Sequence, residues 1–166
     1  MQMELIGILD QVQDSINTEL QPAGIFSAKI AGILPADVDI MWGWCQPWIA
    51  RALKHSKGEL NSYHIYTALL MGQMQLWVAF TKHQPVGICI TEIREHPTGI
   101  KDCLCRVVAG DHVEQWADSV IRILTAWAKI EDCDYIVGEG RPGWTRYLLS
   151  FGFHEISRVA AKKLKE

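Results

Sequence analysis

The sequence predicts an α/β fold of the α+β kind: a mixed, mostly antiparallel central sheet of about six to seven strands flanked by helices, with an amphipathic helix ahead of it. Three observations predict it. Apolar residues recur at helical spacing in several separate segments, and a block of β-branched and apolar runs parted by short turns lies ahead of the last long one. The length of 166 residues suits one domain with a core that needs no disulfide or metal as a staple.

Residues 1–24 form an extension. Leu5, Ile8, Leu9, Val12, Ile16 and Leu20 fall along one stripe of a helix over 4–20, until Pro22-Ala23-Gly24 stops the pattern. Residues 25–166 form the domain. A strand is expected within 25–34, then a stop and a helix start at Pro35-Ala36-Asp37. The stretch 38–55 carries Ile40, Met41, Trp44, Trp48, Ile49, Ala52 and Leu53 on a broad apolar face, and Pro47 is expected to kink or divide it. After the loop Lys57-Gly58-Glu59, Asn61 or Ser62 caps a helix from Tyr63 to about Met71, which Gly72 ends.

Strands follow. The runs 75–81 (QLWVAFT) and 86–94 (VGICITEIR) flank Lys82-His83-Gln84-Pro85 as an antiparallel hairpin, and the turn Glu95-His96-Pro97-Thr98-Gly99 leads to a third strand, 103–108 (CLCRVV). Val113, Trp116, Ala117, Val120, Ile121, Leu124 and Trp127 then share one face of the strongest helix in the chain, and Asp111 and Glu114 have the spacing of a capping box at its start. Tyr135-Ile136-Val137 has the look of a buried strand. The run 138–143, a short helix over about 144–150 and a final strand after Gly152 complete the order.

Composition narrows the function classes. Hydrophobic residues make up 49% and charged residues 21%, as in an ordinary globular chain. No apolar run approaches the roughly 20 residues that cross a bilayer, and Met1-Gln2-Met3-Glu4 lacks a basic leader, so a cytoplasmic location with no membrane partner is expected. A net charge of −3 gives no general attraction for nucleic acid, although a local basic patch stays open. Cys45, Cys89, Cys103, Cys105 and Cys133 are scattered, without CxxC or HxxxH spacing, so neither a metal site nor a disulfide framework is expected. Cys103 and Cys105 would share a strand face as small buried hydrophobes. The seven tryptophans read as core and interface bulk, with an aromatic ligand cage as the alternative.

The order of strand, two helices, three meander strands, long helix, strand, short helix ending in Phe151-Gly152-Phe153 and final strand resembles the GNAT superfamily of N-acetyltransferases over roughly residues 25–164. The chain is also similar to divergent GNAT-like proteins of phages and prophages, through a QLWVA-type strand at Gln75 to Ala79 and an EGRPGW-type turn at Glu139 to Trp144.

The resemblance implies acetyl-CoA as cofactor and a primary amine as acceptor. In the family, the strand before the long helix and that helix's first turn hold the cofactor's diphosphate, and the loop between them follows Arg/Gln-x-x-Gly-x-Gly/Ala. Here the equivalent stretch is Arg106-Val107-Val108-Ala109-Gly110-Asp111-His112, with Gly110 out of register. If Asp111 caps the helix, its carboxylate fills the place of a phosphate, and Glu114 adds a second negative charge; Arg106 and His112 offset part of this. The family often places a glutamate on the strand before the long helix and a tyrosine four residues before the glycine of Gly-Phe. Position 148 is Leu here, and Tyr147 stands one residue early, turned about 100° round the helix. Tyr147 is therefore either the acid that protonates the departing thiolate or a packing residue. Glu92, on the neighbouring strand face with Ile88 and Ile90, is the general-base candidate; sheet-edge solvation explains it equally well.

Gly138-Glu139-Gly140-Arg141-Pro142-Gly143 fits GxGxxG, but the helix after it is short and no acidic residue follows about 20 positions on, so a tight turn into a helix is the better reading. Arg141 either grips an anion or pairs with Glu139. Two functions follow. One is a non-catalytic GNAT-like structural, assembly or interaction protein of phage, virion-associated in that case, binding protein or itself through the N-terminal helix and exposed tryptophans, with no cofactor. The other is an acetyl-CoA-dependent N-acetyltransferase. The missing glycines favour the first.

Overall fold

A computed structural model describes residues 28–81 and 84–165. The helix expected over 4–20, the beginning of the first strand and the hairpin residues Lys82 and His83 lie outside them. Strand β1 (Lys29–Ile33) leads through a short 3-10 turn at Pro35–Asp37 into helix α1 (Val38–Leu53), then helix α2 (Ser62–Leu70). Strands β2 (Gln75–Thr81), β3 (Gln84–Glu95) and β4 (Lys101–Gly110) form the meander. A 3-10 turn at Val113–Gln115 precedes helix α3 (Ala117–Ile130), followed by β5 (Tyr135–Gly138) and helix α4 (Pro142–Leu149).

The sheet runs in the order β1-β2-β3-β4-β5, antiparallel up to β4 and parallel between β4 and β5. Strand alternation sends two apolar sets to opposite faces. Trp77, Ala79, Cys89 and Cys103 meet Trp116, Val120, Leu124 and Trp127 of the α3 side. Leu76, Val78, Ile88, Ile90 and Val107 meet Cys45 and Ile49 of α1 and Ile65 and Leu69 of α2. The buried Cys45 thiol is pushed up to about 12 by desolvation, and Cys103 rises for the same reason, so both pack as neutral hydrophobes.

The helix boundaries have local causes. The Asn61 side chain accepts from the His64 amide at 3.0 Å, while His64 Nδ1 accepts from the Asn61 amide at 3.2 Å, closing a reciprocal cap. Pro47 does not divide α1: it deprives the Gly43 carbonyl of its helical donor, but both residues are exposed and water can replace the bond. Gly152 ends α4 in the left-handed conformation, at φ 85°.

Three expectations are corrected. The sheet has five strands among the described residues, because 153–165 forms no strand: from His154 on its backbone pairs with no strand edge among those residues. Tyr135 is 57% exposed, as befits an edge strand rather than a buried one. The long helix begins at Ala117, and neither end of the Val113–Gln115 turn has a side-chain cap, so the Asp111–Glu114 capping box does not form.

Candidate active site

The site is built around an interruption in β4. Ile90 pairs with Val107 and Thr91 with Cys105, so Arg106 is an extra residue, a bulge. On the other edge, β5 pairs with β4 from Asp102 to Cys105 and then ends at Gly138. From Arg106 onward β4 therefore has β3 on one side and no strand on the other among the described residues. The gap opens on an apolar groove between β4, the first half of α3 and α4, lined by Cys105, Val108, Val120, Gly138, Trp144 and Leu148. Its enclosed volume is about 20 Å³, room for about one water. Trp144 and Leu148 fill it because the turn ahead of α4 is glycine: a Cβ on Gly138 would lie 2.6 Å from Leu148, and one on Gly140 2.6 Å from Trp144. The GxGxxG run is thus a packing turn, with Pro142 at the start of α4.

At the far end of the groove the chain turns into α3 over residues 110–116. Gly110 sits at φ 153°, and a Cβ there would meet Gly87 Cα and Val86 O at 2.4 Å. The Asp111 amide donates to Val86 O at 2.8 Å, and Trp116 Nε1, on a fully buried ring, donates to Asp111 O at 2.9 Å. This anchoring, with His112 left-handed at φ 50°, turns the Asp111 carboxylate outward to within 3.6 Å of Arg51. The other two acids here are also beside bases: Glu114 lies 3.7 Å from His112, and Asp118 2.9 Å from Arg122. No protein carboxylate fills the helix start. The amides of Ala117, Asp118 and Ser119 take no acceptor among the described residues; Ala117 is buried, whereas Asp118 and Ser119 are half-buried, so at these two the helix start can meet solvent or an anion.

The stretch 106–112, which the sequence offered as the cradle, is occupied mainly by strand pairing and packing. Val107 and Val108 belong to β4 and pair with Ile90 and Cys89, Val107 facing α1 and α2 and Val108 the groove. Gly110 serves packing against Gly87, and the Asp111 amide is already bonded. The His112 side chain is 74% exposed.

Glu92 and Arg106 come together. The bulge aims Arg106 Nε at Glu92 Oε2 in an ion pair, with Glu92 half-buried. Tyr147 lies away from the groove lining. Its ring stacks on Trp144 at 5.5 Å and tilts against Phe151 at 5.2 Å. Burial, then the charges of Asp118 and Glu114, push its hydroxyl above the usual phenol range and keep it protonated. Arg141 is exposed; Glu139 lies 3.7 Å from Arg94 instead.

Sequence reasoning missed one cluster. Asp102, 5% exposed, accepts from Arg94 Nε and Nη2 at 2.8 and 3.0 Å, and His96 Nε2 lies 2.7 Å from its Oδ2. Burial pushes the carboxyl up, but the hydrogen bonds from Arg94 and His96 outweigh it and hold it below the usual carboxylate range. Counting outward from the 96–99 turn, Glu95 opposite Lys101 and Arg94 opposite Asp102, would have found the pair.

A mixed sheet whose parallel pair parts midway, with a helix start behind the gap, defines a GNAT-like fold. No protein-family model and no curated protein matches the chain. Among solved structures it is similar to a ribosomal-protein-alanine N-acetyltransferase from Brucella melitensis biovar Abortus 2308, at 16% identity and TM-score 0.60, covering 84% of this chain and 99% of that one. It is also similar to an aminoglycoside acetyltransferase from an uncultured soil metagenomic sample in complex with sisomicin, at 14% identity and TM-score 0.62, over 83% and 97%. A predicted acetyltransferase from Clostridium acetobutylicum, solved with acetyl-CoA, matches at 11% identity and TM-score 0.59, over 82% and 96%. At these identities the likeness is one of fold.

Proposed function

We propose that this chain is an acetyl-CoA-dependent N-acetyltransferase acting on a primary amine, which reverses the preference drawn from sequence. The observation that carries the reading is the opening of β4 from β5 after Cys105, continuous with a helix start whose amides are free and whose nearby carboxylates are turned to Arg51, His112 and Arg122. These are the parts a diphosphate and a slender acyl chain require: donors in fixed positions at one end and an unpaired strand edge along an apolar wall. Bound there, acetyl-CoA supplies an activated thioester.

The residues of this chain have separate tasks. The amides of Asp118 and Ser119, at the start of α3, would hold the diphosphate. Trp144 and Leu148 exclude water from the groove, and α4 must give way for a ligand to enter. Glu92, fixed by Arg106 at the bulge, takes the amine proton directly or through water. Tyr147 lies on α4 outside the groove lining, stacked on Trp144, and would return a proton to the leaving thiolate once α4 gives way. Solved neighbours bound to acetyl-CoA and to an aminoglycoside support the reading by fold.

A thermal-shift titration tests it, since a ligand that binds only the native state raises Tm with concentration. Acetyl-CoA should raise Tm, and thiol should be released with some member of a primary-amine panel. Glu92→Gln should keep the shift and lower kcat/KM by about 10²-fold or more. A folded protein with neither shift nor thiol release would abandon this reading for its rival, a protein-binding scaffold of phage type. What favours that rival is Leu148, in the place the family gives to tyrosine and itself filling the groove.

A further inference from the structure

We infer that residues 4–20 lie as a helix along the outer face of α1 in the same chain, parallel to it. This is independent of acyl transfer. Along α1 and its cap, Ile40, Trp44, Pro47, Arg51 and Lys54 follow one another at steps of four, three, four and three. That rhythm is a repeat of about 3.5 residues, the spacing that keeps one seam of a helix turned toward a second helix. The seam lies opposite Cys45 and Ile49, which face the sheet, and all five of its residues are exposed, Ile40 at 75% and Trp44 at 57%. Apolar surface in line like this marks a contact.

Residues 4–20 carry the matching seam. Leu5, Leu9, Val12, Ile16 and Glu19 repeat at the same steps of four, three, four and three, and Ile8 and Leu20 widen the stripe. Set parallel to α1, Leu5 meets Ile40, Leu9 meets Trp44, Val12 meets Pro47 and Ile16 meets the aliphatic stem of Arg51, while Glu19 reaches Lys54. Asp10 and Asp14 fall on the other side of such a helix, toward solvent.

Chain direction and charge select this occupant. β1 starts at Lys29 beside Phe80, at the end of the sheet where Gly87 meets Gly110. α1 runs toward that same end, since Arg51 in its last turn lies 3.6 Å from Asp111. The chain ahead of Ala28 therefore arrives on the side where α1 ends, which makes Leu20 the near end of the added helix and fixes the parallel sense. The way there crosses three strand spacings, about 14 Å, and a helix about 10 Å thick; the eight steps from Leu20 to Ala28 reach about 26 Å. Residues 1–24 hold Glu4, Asp10, Asp14 and Glu19 and no lysine or arginine, whereas α1 ends in exposed Arg51 and Lys54. Asp39, the acid at the other end of α1, is turned to the Tyr66 hydroxyl at 2.6 Å. A segment tethered this close also meets the face at a higher effective concentration than a second copy does.

Amide hydrogen exchange of the full chain, without cofactor, should show the amides of 9–20 slowed about tenfold or more. Ile40→Glu combined with Trp44→Glu, at exposed positions, should remove that slowing while the amides of the sheet stay protected. A variant carrying Leu9→Cys and Trp44→Cys, oxidised, should form a disulfide within one chain, absent from either single variant and from the pair Asp10→Cys and Trp44→Cys. Amides of 9–20 that exchange freely, slowing that survives the two glutamates, or a cross-link that joins two chains instead of closing within one would each overturn the docking, whatever acetyl-CoA does to Tm.

Discussion

β4 divides into two halves that differ in what surrounds them. From Asp102 to Cys105 it is paired on both edges, and its Asp102 is locked between Arg94 and His96. From Arg106 to Gly110 one edge is open, an extra residue kinks the strand, and its last glycine presses against Gly87 to set the turn into α3. The closed half holds the sheet together with buried charge. The open half leaves main-chain groups unpaired beside a groove that Trp144 and Leu148 fill, and it depends on close packing behind it. Substitutions in the two halves should therefore separate stability from binding.

The largest effect is expected where the open half meets its support. Gly110→Val places a side chain against backbone at a φ that side chains rarely adopt, and neither contact can move aside. Urea unfolding should show a loss of about 3 kcal/mol or more; a loss below about 1 kcal/mol would mean the turn is loose and does not fix the start of α3.

Next comes the closed half. Asp102→Asn should cost about 1–3 kcal/mol near neutral pH, less than a fully buried pair because Arg94 and His96 remain partly hydrated. Its folded pKa is lowered, so the stability it contributes is complete above the unfolded value of about 3.9 and is lost as pH falls through the folded one. The gap between wild type and variant should therefore shrink below about pH 4. An unchanged gap would remove the ionised carboxylate from the account, while an unchanged response to acetyl-CoA is expected throughout.

Ser119→Asp should move stability and binding in opposite directions. A carboxylate in the first turn of α3 favours the helix by about 0.3–1 kcal/mol but repels a diphosphate at the same amides. Tm without ligand should rise slightly, and the acetyl-CoA shift should fall; a variant that keeps the full shift would place the cofactor elsewhere. The smallest effect is expected for Asp111→Ala. Its pair with Arg51 is exposed and worth less than about 0.5 kcal/mol, whereas a true N-cap would cost about 1 kcal/mol. A loss of that larger size would restore Asp111 to the helix start.

Much of the architecture could be read from residue spacing. The helical stripes of 38–53 and 117–130, the Asn61 cap and the meander from Gln75 to Gly110 depend on periods of 3.6 and 2 and on turn residues close in sequence, so local pattern suffices for them. It does not suffice for the start of α3. Asp111 and Glu114 have the spacing of a cap, but the Asp111 amide is taken by Val86, about 25 residues earlier in the chain, and that long-range bond sends its carboxylate outward. The final strand failed for a similar reason: its pattern was legible, but a strand forms only against an edge.

The sequence by itself determined which segments are helix or strand and which faces of them are apolar, because those properties depend on neighbours a few positions away. Only the tertiary structure decided where β4 parts from β5, which amides at the start of α3 stay free, and that Arg106 meets Glu92. Each of these follows from register between strands and from close approach of glycines to a buried tryptophan, and the residues involved carry no local mark of the partner they will meet.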